Sequence, residues 1–554
     1  MALLSHHVAF YAKRIGYESL KENASFVALL KACAKKKDLH RGIQLHATIV
    51  KKGLLEKNLH VANTLMIMYS KCGMLAKAQE IMENIPFRDV ISWSALIGGY
   101  VQQGQCDEAM NCYQHMLCEG IVPDAITFTC ILKACANKGS IHIGEHIYGE
   151  IVSRDLLRKD IVLCTTLVDM YAKCGAFSKA QEVLEKIPFR NVVSWSALIA
   201  GYVQQGQGLE ALKCFEKMQM ESIAPNAVTF LCILKACGIT KDIDKGKEIH
   251  DEIADKGLLE KNMALGNALV DMYVKCGLIV KAHKVLKELH VRDVVSWSSL
   301  IVGYAENAQE NEALGCLQRL RSEGLSPNAV TFIGLLKACG NIGAIDMGKQ
   351  IHSEIVSRGW LEKNIVLGNA MVDMYAKCGM LSKAHEVLEE LPARDVVSWN
   401  ALIAGYSQQG QGHEALNCLE QMQIEELSPN IITLTCILKA CGSIGAIVKG
   451  KQIHDDILSK GLLERDLMLG NALMDMYAKC GALSKAQEVL EDLQVRDIVS
   501  WNTLISGYSL HRQGHEALDC FQRMQDEGVR PNAVTFLSVL SACSHSGLFD
   551  ESQI

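Results

Sequence analysis

Between residues 396 and 423 the apolar positions fall at helical spacing twice over. Val397, Ala401, Leu402 and Tyr406 mark one stripe; Ala415, Leu416, Cys418, Leu419 and Met422 mark a second. Recurrence every three or four positions predicts two short amphipathic helices, over Val396–Gln408 and 414–423. Gly410-Gln411-Gly412 separates them, and Ser428-Pro429-Asn430 closes the segment, because a proline ring disfavours helix at the residue before it. The two-residue alternation of a half-buried strand is absent along the chain. Only eight prolines occur, and Ala, Leu, Lys, Glu, Gln and Met dominate, so the fold class is all-α.

The pattern is periodic. NAMVDMYAKCG at 369–379 returns as NALMDMYAKCG at 471–481, 102 positions on. The Tyr-x-Lys-Cys-Gly block starts at Tyr69, Tyr171, Tyr273, Tyr375 and Tyr477, and the Ser-Trp pair at Ser92, Ser194, Ser296, Ser398 and Ser500. Breaks divide each period into a first unit of 36 residues, a second of 31 and a third of 35, as in 227–262, 263–293 and 294–328. The same cuts fit the blocks beginning at Asn23, Ala125, Ala329 and Ile431, giving fifteen units over 23–532. A segment 1–22 precedes them, and 533–554 starts a sixteenth. Neither helix of a unit can bury its stripe alone. Stacking neighbours does so, which predicts a one-dimensional solenoid with a continuous groove.

Composition narrows the function. An apolar fraction of 49% is ample for a continuous core. A net charge of −6 counts against a protein that clamps a duplex through its phosphates, so DNA is not expected as a partner. Of the 22 cysteines, sixteen recur in three series, such as Cys33, Cys135, Cys237, Cys339, Cys441 and Cys543, and Cys-x-x-Cys does not occur. That pattern predicts buried thiols in close helix packing, in a reducing compartment, with no metal site. No apolar run reaches the ~18 residues of a membrane span. Residues 1–17 carry Lys13, Arg14, His6 and His7 without an acid, as a short organelle transit peptide would.

The motifs VTF-x-x-(I/L)-LKAC, GNALVDMY-x-KCG and VVSW(S/N)ALI-x-GY, in that order and spacing over 23–554, resemble the pentatricopeptide repeat family in its plant subclass of alternating P, L and S units. The resemblance implies a right-handed superhelical solenoid that reads single-stranded organelle RNA, one base per unit. The fifth residue of each unit would bond the base edge, the last would support the choice, and the second, a Val or Ile, would sandwich the base. In third units this makes Ser94 with Asp124 a reader of G. Ser196 with Asn226, and Ser298 with Asn328, would read A; Asn400 with Asn430, and Asn502 with Asn532, a pyrimidine. In first units Thr129 with Asp160, and Thr435 with Asp466, would read G, whereas Val27, Leu231 and Ile333 would not select. In second units Asn63, Asn267, Asn369 and Asn471, with Asp89, Asp293, Asp395 and Asp497, would read U, and Thr165 with Asn191 would read A. The implied site is 5′-n-u-G-G-a-A-n-u-A-n-u-Y-G-u-Y-3′. The last-place residues are also good helix N-caps, and the two roles can coexist.

Within the family this triplet pattern implies C-to-U RNA editing in a mitochondrion or chloroplast. The deaminase signature is His-x-Glu followed by Pro-Cys-x-x-Cys. His250-Asp251-Glu252 and His352-Ser353-Glu354 lack the cysteines and lie one period apart, with His46 and His454 in the equivalent place, so they read as parts of the repeat. No catalytic residue, metal or cofactor is expected. Chemistry would come from a deaminase partner or a C-terminal domain, since the chain stops inside a unit, as a fragment or truncated product would. Splicing, stability or translation of an organelle transcript, and a protein-binding scaffold, are the alternative functions. Lys71, Lys173, Lys275, Lys377 and Lys479 are open to two readings, phosphate contact or a charge complementing a helix C-terminus.

Overall fold

The computed structural model describes residues 24–463 and 466–546; the candidate transit peptide and residues 547–554 of the sixteenth unit lie outside them. The chain divides into two compact bodies at His290 and Val291. Among the described residues every regular element is a helix.

In the N-terminal body one period consists of Ala125–Lys138 and Ile141–Ser153, Ile161–Lys173 and Phe177–Lys186, and Val192–Gln204 and Gly208–Met220. In the C-terminal body the equivalent helices are Ala329–Ile342 and Ile345–Ser357, Ile365–Lys377 and Leu381–Glu390, and Val396–Gln408 and Gly412–Ile424. The expected unit boundaries therefore fall on the first residues of helices. The second unit is short because its second helix has 10 residues where its neighbours have 13. Within each body, first helices stack on first helices in sequence order, and each second helix packs against the first helix of its own unit.

Two glycines show how local sequence sets these joints. Gly175 follows the helix Ile161–Lys173 and its C-cap Cys174, with φ +75°; the Ala176 N–H returns to the Tyr171 carbonyl at 2.9 Å. This is a Schellman stop, which needs a residue free of the left-handed penalty. Nothing lies within 4 Å of a Cβ built there, so this glycine serves backbone shape and not close packing. Gly412 is the opposite case. It is not part of the interhelical break, as the sequence suggested, but the first residue of its helix. A Cβ there would meet the Ala440 carbonyl oxygen at 2.8 Å and Ile444 at 2.7 Å, so the next unit's helix can approach only a bare backbone.

The core repeats as well. Tyr69, Tyr273, Tyr375 and Tyr477 are buried and bond the Nδ1 of His46, His250, His352 and His454 at 2.8–2.9 Å. Those histidines tie helix to helix, and burial holds each below its ordinary pKa. Burial also pushes the Cys135, Cys237 and Cys339 thiols up to about 12. Such thiols stay protonated and pack as small apolar groups. Among the described residues no cluster of His, Cys, Asp or Glu could hold a metal ion, and no helix is long and apolar enough to cross a membrane.

Candidate nucleic-acid interface

Each last-place residue sits one position before a helix with extended backbone, where a short polar side chain can bond the free N–H groups of the first turn. Asp124, Asn226, Asn328 and Asn430 accept from the N–H of Thr127, Thr229, Thr331 and Thr433 at 2.8–3.0 Å. Asp89 and Asp395 accept from the Ser92 and Ser398 N–H at 2.8 Å. The hydroxyls of these Ser and Thr residues approach the cap's own N–H, closing a capping box. Asp160 and Asp466 cap differently. Their third helical residues are Leu163 and Leu469, which have no hydroxyl to return.

The fifth-place side chains point at these caps. Asn63 Nδ2 donates to Asp89 Oδ1 at 3.0 Å, Asn369 to Asp395 at 3.1 Å, Asn400 to Asn430 at 3.1 Å and Asn502 to Asn532 at 3.2 Å. Ser298 Oγ donates to the Val294 carbonyl of its own helix at 2.5 Å and is linked to its cap Asn328 through the Thr331 hydroxyl, 2.7 Å away. Ser94 and Ser196 reach their caps through one intervening hydroxyl, Thr127 at 2.7 Å and Thr229 at 2.8 Å. Seven expected pairs are thus joined.

Others are not. The hydroxyls of Thr129, Thr165 and Thr435 donate to the carbonyls of Ala125, Ile161 and Ile431 in their own helices at 2.8 Å, with no bond to Asp160, Asn191 or Asp466. Asn471 does not bond Asp497; its carbonyl oxygen is buried without a hydrogen-bond partner. Asp293 caps Val294–Glu306.

Around the joined pairs, the second-place residues break the rule that large aliphatics are buried. Ile91, Val193, Val295, Val397 and Val499 in third units, and Ile126, Val228, Val330, Ile432 and Val534 in the units after them, are 48–64% exposed. In one cleft of about 310 Å³, Ile91 and Ile126 line the walls with Ser94, Asp124 and Lys71. In another, of about 540 Å³, the same places are filled by Val499, Val534, Asn502, Asn532 and Lys479. Two aliphatic walls with a polar pair between them could hold a flat ring and address its edge.

Burial opposes ionisation of Asp89 and Asp395, but bonds from the following serine and from Asn63 or Asn369 together outweigh it, and both carboxyls sit below the ordinary value of 3.8. Lys173, Lys275, Lys377 and Lys479 end their helices, as the dipole reading expected, and pair with Asp169, Asp271, Asp373 and Asp475 at 2.7–2.9 Å. At Lys71 the equivalent acid is replaced by Ile67.

Sequence reasoning missed the role of the Ser-Trp tryptophans. Trp93, Trp195, Trp297 and Trp399 donate from Nε1 to Glu119, Glu221, Glu323 and Glu425 at 2.8–3.1 Å. Each glutamate also pairs with an arginine one position before a cap: Arg88, Arg190, Arg292 or Arg394. The constant Trp-to-Glu separation of 26 residues was the available signal.

Known proteins match this architecture. The profile of the PPR repeat family matches residues 88–137, 190–238, 292–341, 394–443 and 496–545, and the PPR repeat profile matches 61–89, 162–192, 267–294, 369–396 and 471–498. A chloroplastic pentatricopeptide repeat-containing protein of Arabidopsis thaliana is 34% identical over 99% of this chain and 63% of its own length. A mitochondrial one from the same plant is 34% identical over 98% of this chain and 71% of its own length. The chain spans 60–64% of the first three such relatives. The crystal structure of the pentatricopeptide repeat protein PPR10 in complex with an 18-nt psaJ RNA element superposes with a TM-score of 0.62 at 19% identity, covering 96% of this chain and 83% of that one. The structure of PPR10 from maize gives 0.53 at 17% identity over 95% and 92%. At these identities the likeness shows the fold.

Proposed function

This chain belongs to the pentatricopeptide repeat family, and on that premise we propose that it binds single-stranded organelle RNA in a sequence-specific way and marks sites for C-to-U editing. The observation that carries the reading is the joined fifth- and last-place pair between two exposed aliphatic walls. A buried apolar core does not require Val397 or Val499 in solvent, and a scaffold for proteins does not require Asn, Ser and Thr to vary at the fifth place. An unpaired base satisfies both: its faces cover the aliphatics, and its edge meets the pair.

Selection is concentrated in units whose pairs are joined, those of Asn63, Ser94, Ser196, Ser298, Asn369, Asn400 and Asn502. Units with aliphatic fifth residues act as spacers that keep the strand in register, and those whose threonines bond their own helix select more weakly. Mitochondrial or chloroplast location is supported by the names of the relatives, and editing by the triplet pattern. The deaminase is a partner or a domain of the same polypeptide.

The test is binding of the purified chain to an oligoribonucleotide of the implied fifteen-base sequence and to a scrambled one of equal composition. The matched strand is expected to bind at least ~100-fold tighter, given about 1–3 kcal/mol for each well-read base. Equal affinities end the proposal. Loss of a defined C-to-U event in a knockout separates editing from splicing, stability or translation.

A further inference from the structure

Four fifth-place asparagines make a second hydrogen bond besides the one to their cap. Asn63 Oδ1 accepts from the Ser92 hydroxyl at 2.8 Å, and Asn369 from Ser398, Asn400 from Thr433 and Asn502 from Thr535 at 2.6 Å each. The donor is always the third residue of the following unit. All four hydroxyls are fully buried, so none can touch RNA. A hydroxyl has one proton, and at Asn400 and Asn502 the shorter contact is to the asparagine: the Thr433 and Thr535 hydroxyls lie 3.0 and 3.1 Å from the caps.

The consequence concerns which way the amide faces. Asp89 and Asp395 are carboxylates and can only accept, so the asparagine atom beside them is the nitrogen, and the oxygen must face the hydroxyl. Cap and hydroxyl together hold the amide at both ends. What is left for a base is one N–H and one lone pair in a fixed order. Held at the cap alone, the amide keeps its nitrogen on the carboxylate but can swing about that bond, so the N–H and lone pair it offers a base are no longer fixed in place.

We propose that the buried hydroxyl at the third place of the next unit is a positioning residue for base selection, locking the fifth-place asparagine in one orientation. This rests on the RNA-reading function proposed above. The device is present only where the sequence can supply it. First units are followed by Val61, Leu163, Leu265, Leu367 or Leu469 at that place, all buried, and the fifth residues of those units include no asparagine. Ser194 provides an internal contrast. It closes a capping box like Ser398, but its hydroxyl donates to the Asn191 carbonyl, and the fifth residue Thr165 bonds its own helix. In the Asn471 unit the Ser500 hydroxyl donates to Asp497, which leaves that asparagine outside the device.

The experiment uses the full chain and sets of four oligoribonucleotides differing only at one base. Preference at the base facing Asn369 is compared for the parent, Ser398→Ala and Ser398→Thr; preference at the base facing Thr165 is compared for the parent and Ser194→Ala. Ser398→Ala is expected to lower its preference by roughly tenfold, about the discrimination of one oriented contact. Ser398→Thr should restore it. Ser194→Ala should lose a similar amount of thermal stability and keep its preference. Should Ser398→Ala not fold, Thr433→Val against Thr433→Ser asks the same question at Asn400. Unchanged preference in Ser398→Ala, or equal loss in Ser398→Ala and Ser194→Ala, overturns the inference, leaving the hydroxyl a helix cap. A parent with no base preference at either position fails at the earlier step, and this inference falls with it.

Discussion

Asn400 combines the features of the proposed reading residues: 7% exposed, bonded to its cap, and set in a unit whose second residue, Val397, is 58% exposed. Replacing it by Ser exchanges an amide for a hydroxyl that cannot offer a donor and an acceptor side by side. Asn400→Ser is therefore expected to move preference at that base from pyrimidine towards A, read by binding selection from a randomised pool; an unchanged base there rejects the assignment. The carboxylate caps carry a pH signature. The Asp395 carboxyl lies below its ordinary value of 3.8 when folded, so its contribution is fully present above that pH and is lost as pH falls through the folded value. Asp395→Asn keeps a cap worth about 1 kcal/mol. Its thermal midpoint should match the parent at pH 7 and fall less steeply between pH 4 and pH 2 (a range of about two units around the ordinary carboxylate value). A parallel decline of the two would contradict this.

At the scale of elements, the helix Val396–Gln408 was legible to the residue, because Pro429 and the 102-residue recurrence fix the frame and the apolar stripe fixes the face. Its partner was read two residues short at Gly412, where a contact from the next unit, invisible in a local window, decides the residue. The Trp399–Glu425 bond was likewise hidden, since Glu425 lies just past the end of the next helix and only the repeat could have matched the two. The fifth and last places of the candidate site came from family resemblance, and the fold joins seven of those pairs; the buried hydroxyls between them were not legible, as a Ser or Thr at the third position of a helix reads first as a capping box. The two glycines can be told apart experimentally. Gly175→Ala should cost about 1 kcal/mol through backbone strain alone, with the loss confined to hydrogen exchange near 161–186. Gly412→Ala should cost about 1–3 kcal/mol through overpacking and should loosen the neighbouring helix Ile431–Ile444 too. Equal spread of the two effects would remove the distinction.

Across the whole molecule, the net charge of −6 and the aspartates paired with Lys173, Lys275, Lys377 and Lys479 make phosphate attraction weak. Affinity for RNA should fall only shallowly with salt, since single strands lose about 0.7 in slope per phosphate neutralised. Removing a cleft acid should strengthen binding: Asp475→Asn, beside Lys479, is expected to tighten RNA severalfold at low salt, an advantage that disappears as the Debye length shrinks to ~3 Å at 1 M salt. Anisotropy titrations across salt check both; a steep parental slope or weaker binding by the variant would count against them. The double duty proposed for the caps reaches further. At 124, 226, 328, 430 and 532 the chain carries Asp or Asn, and either starts the next helix. The letters available for addressing a nucleotide are thus the same letters that begin a helix well. A lineage can exchange one for the other and acquire a new target while its foldedness stays level, so the text being recognised can drift without the scaffold passing through an unstable ancestor.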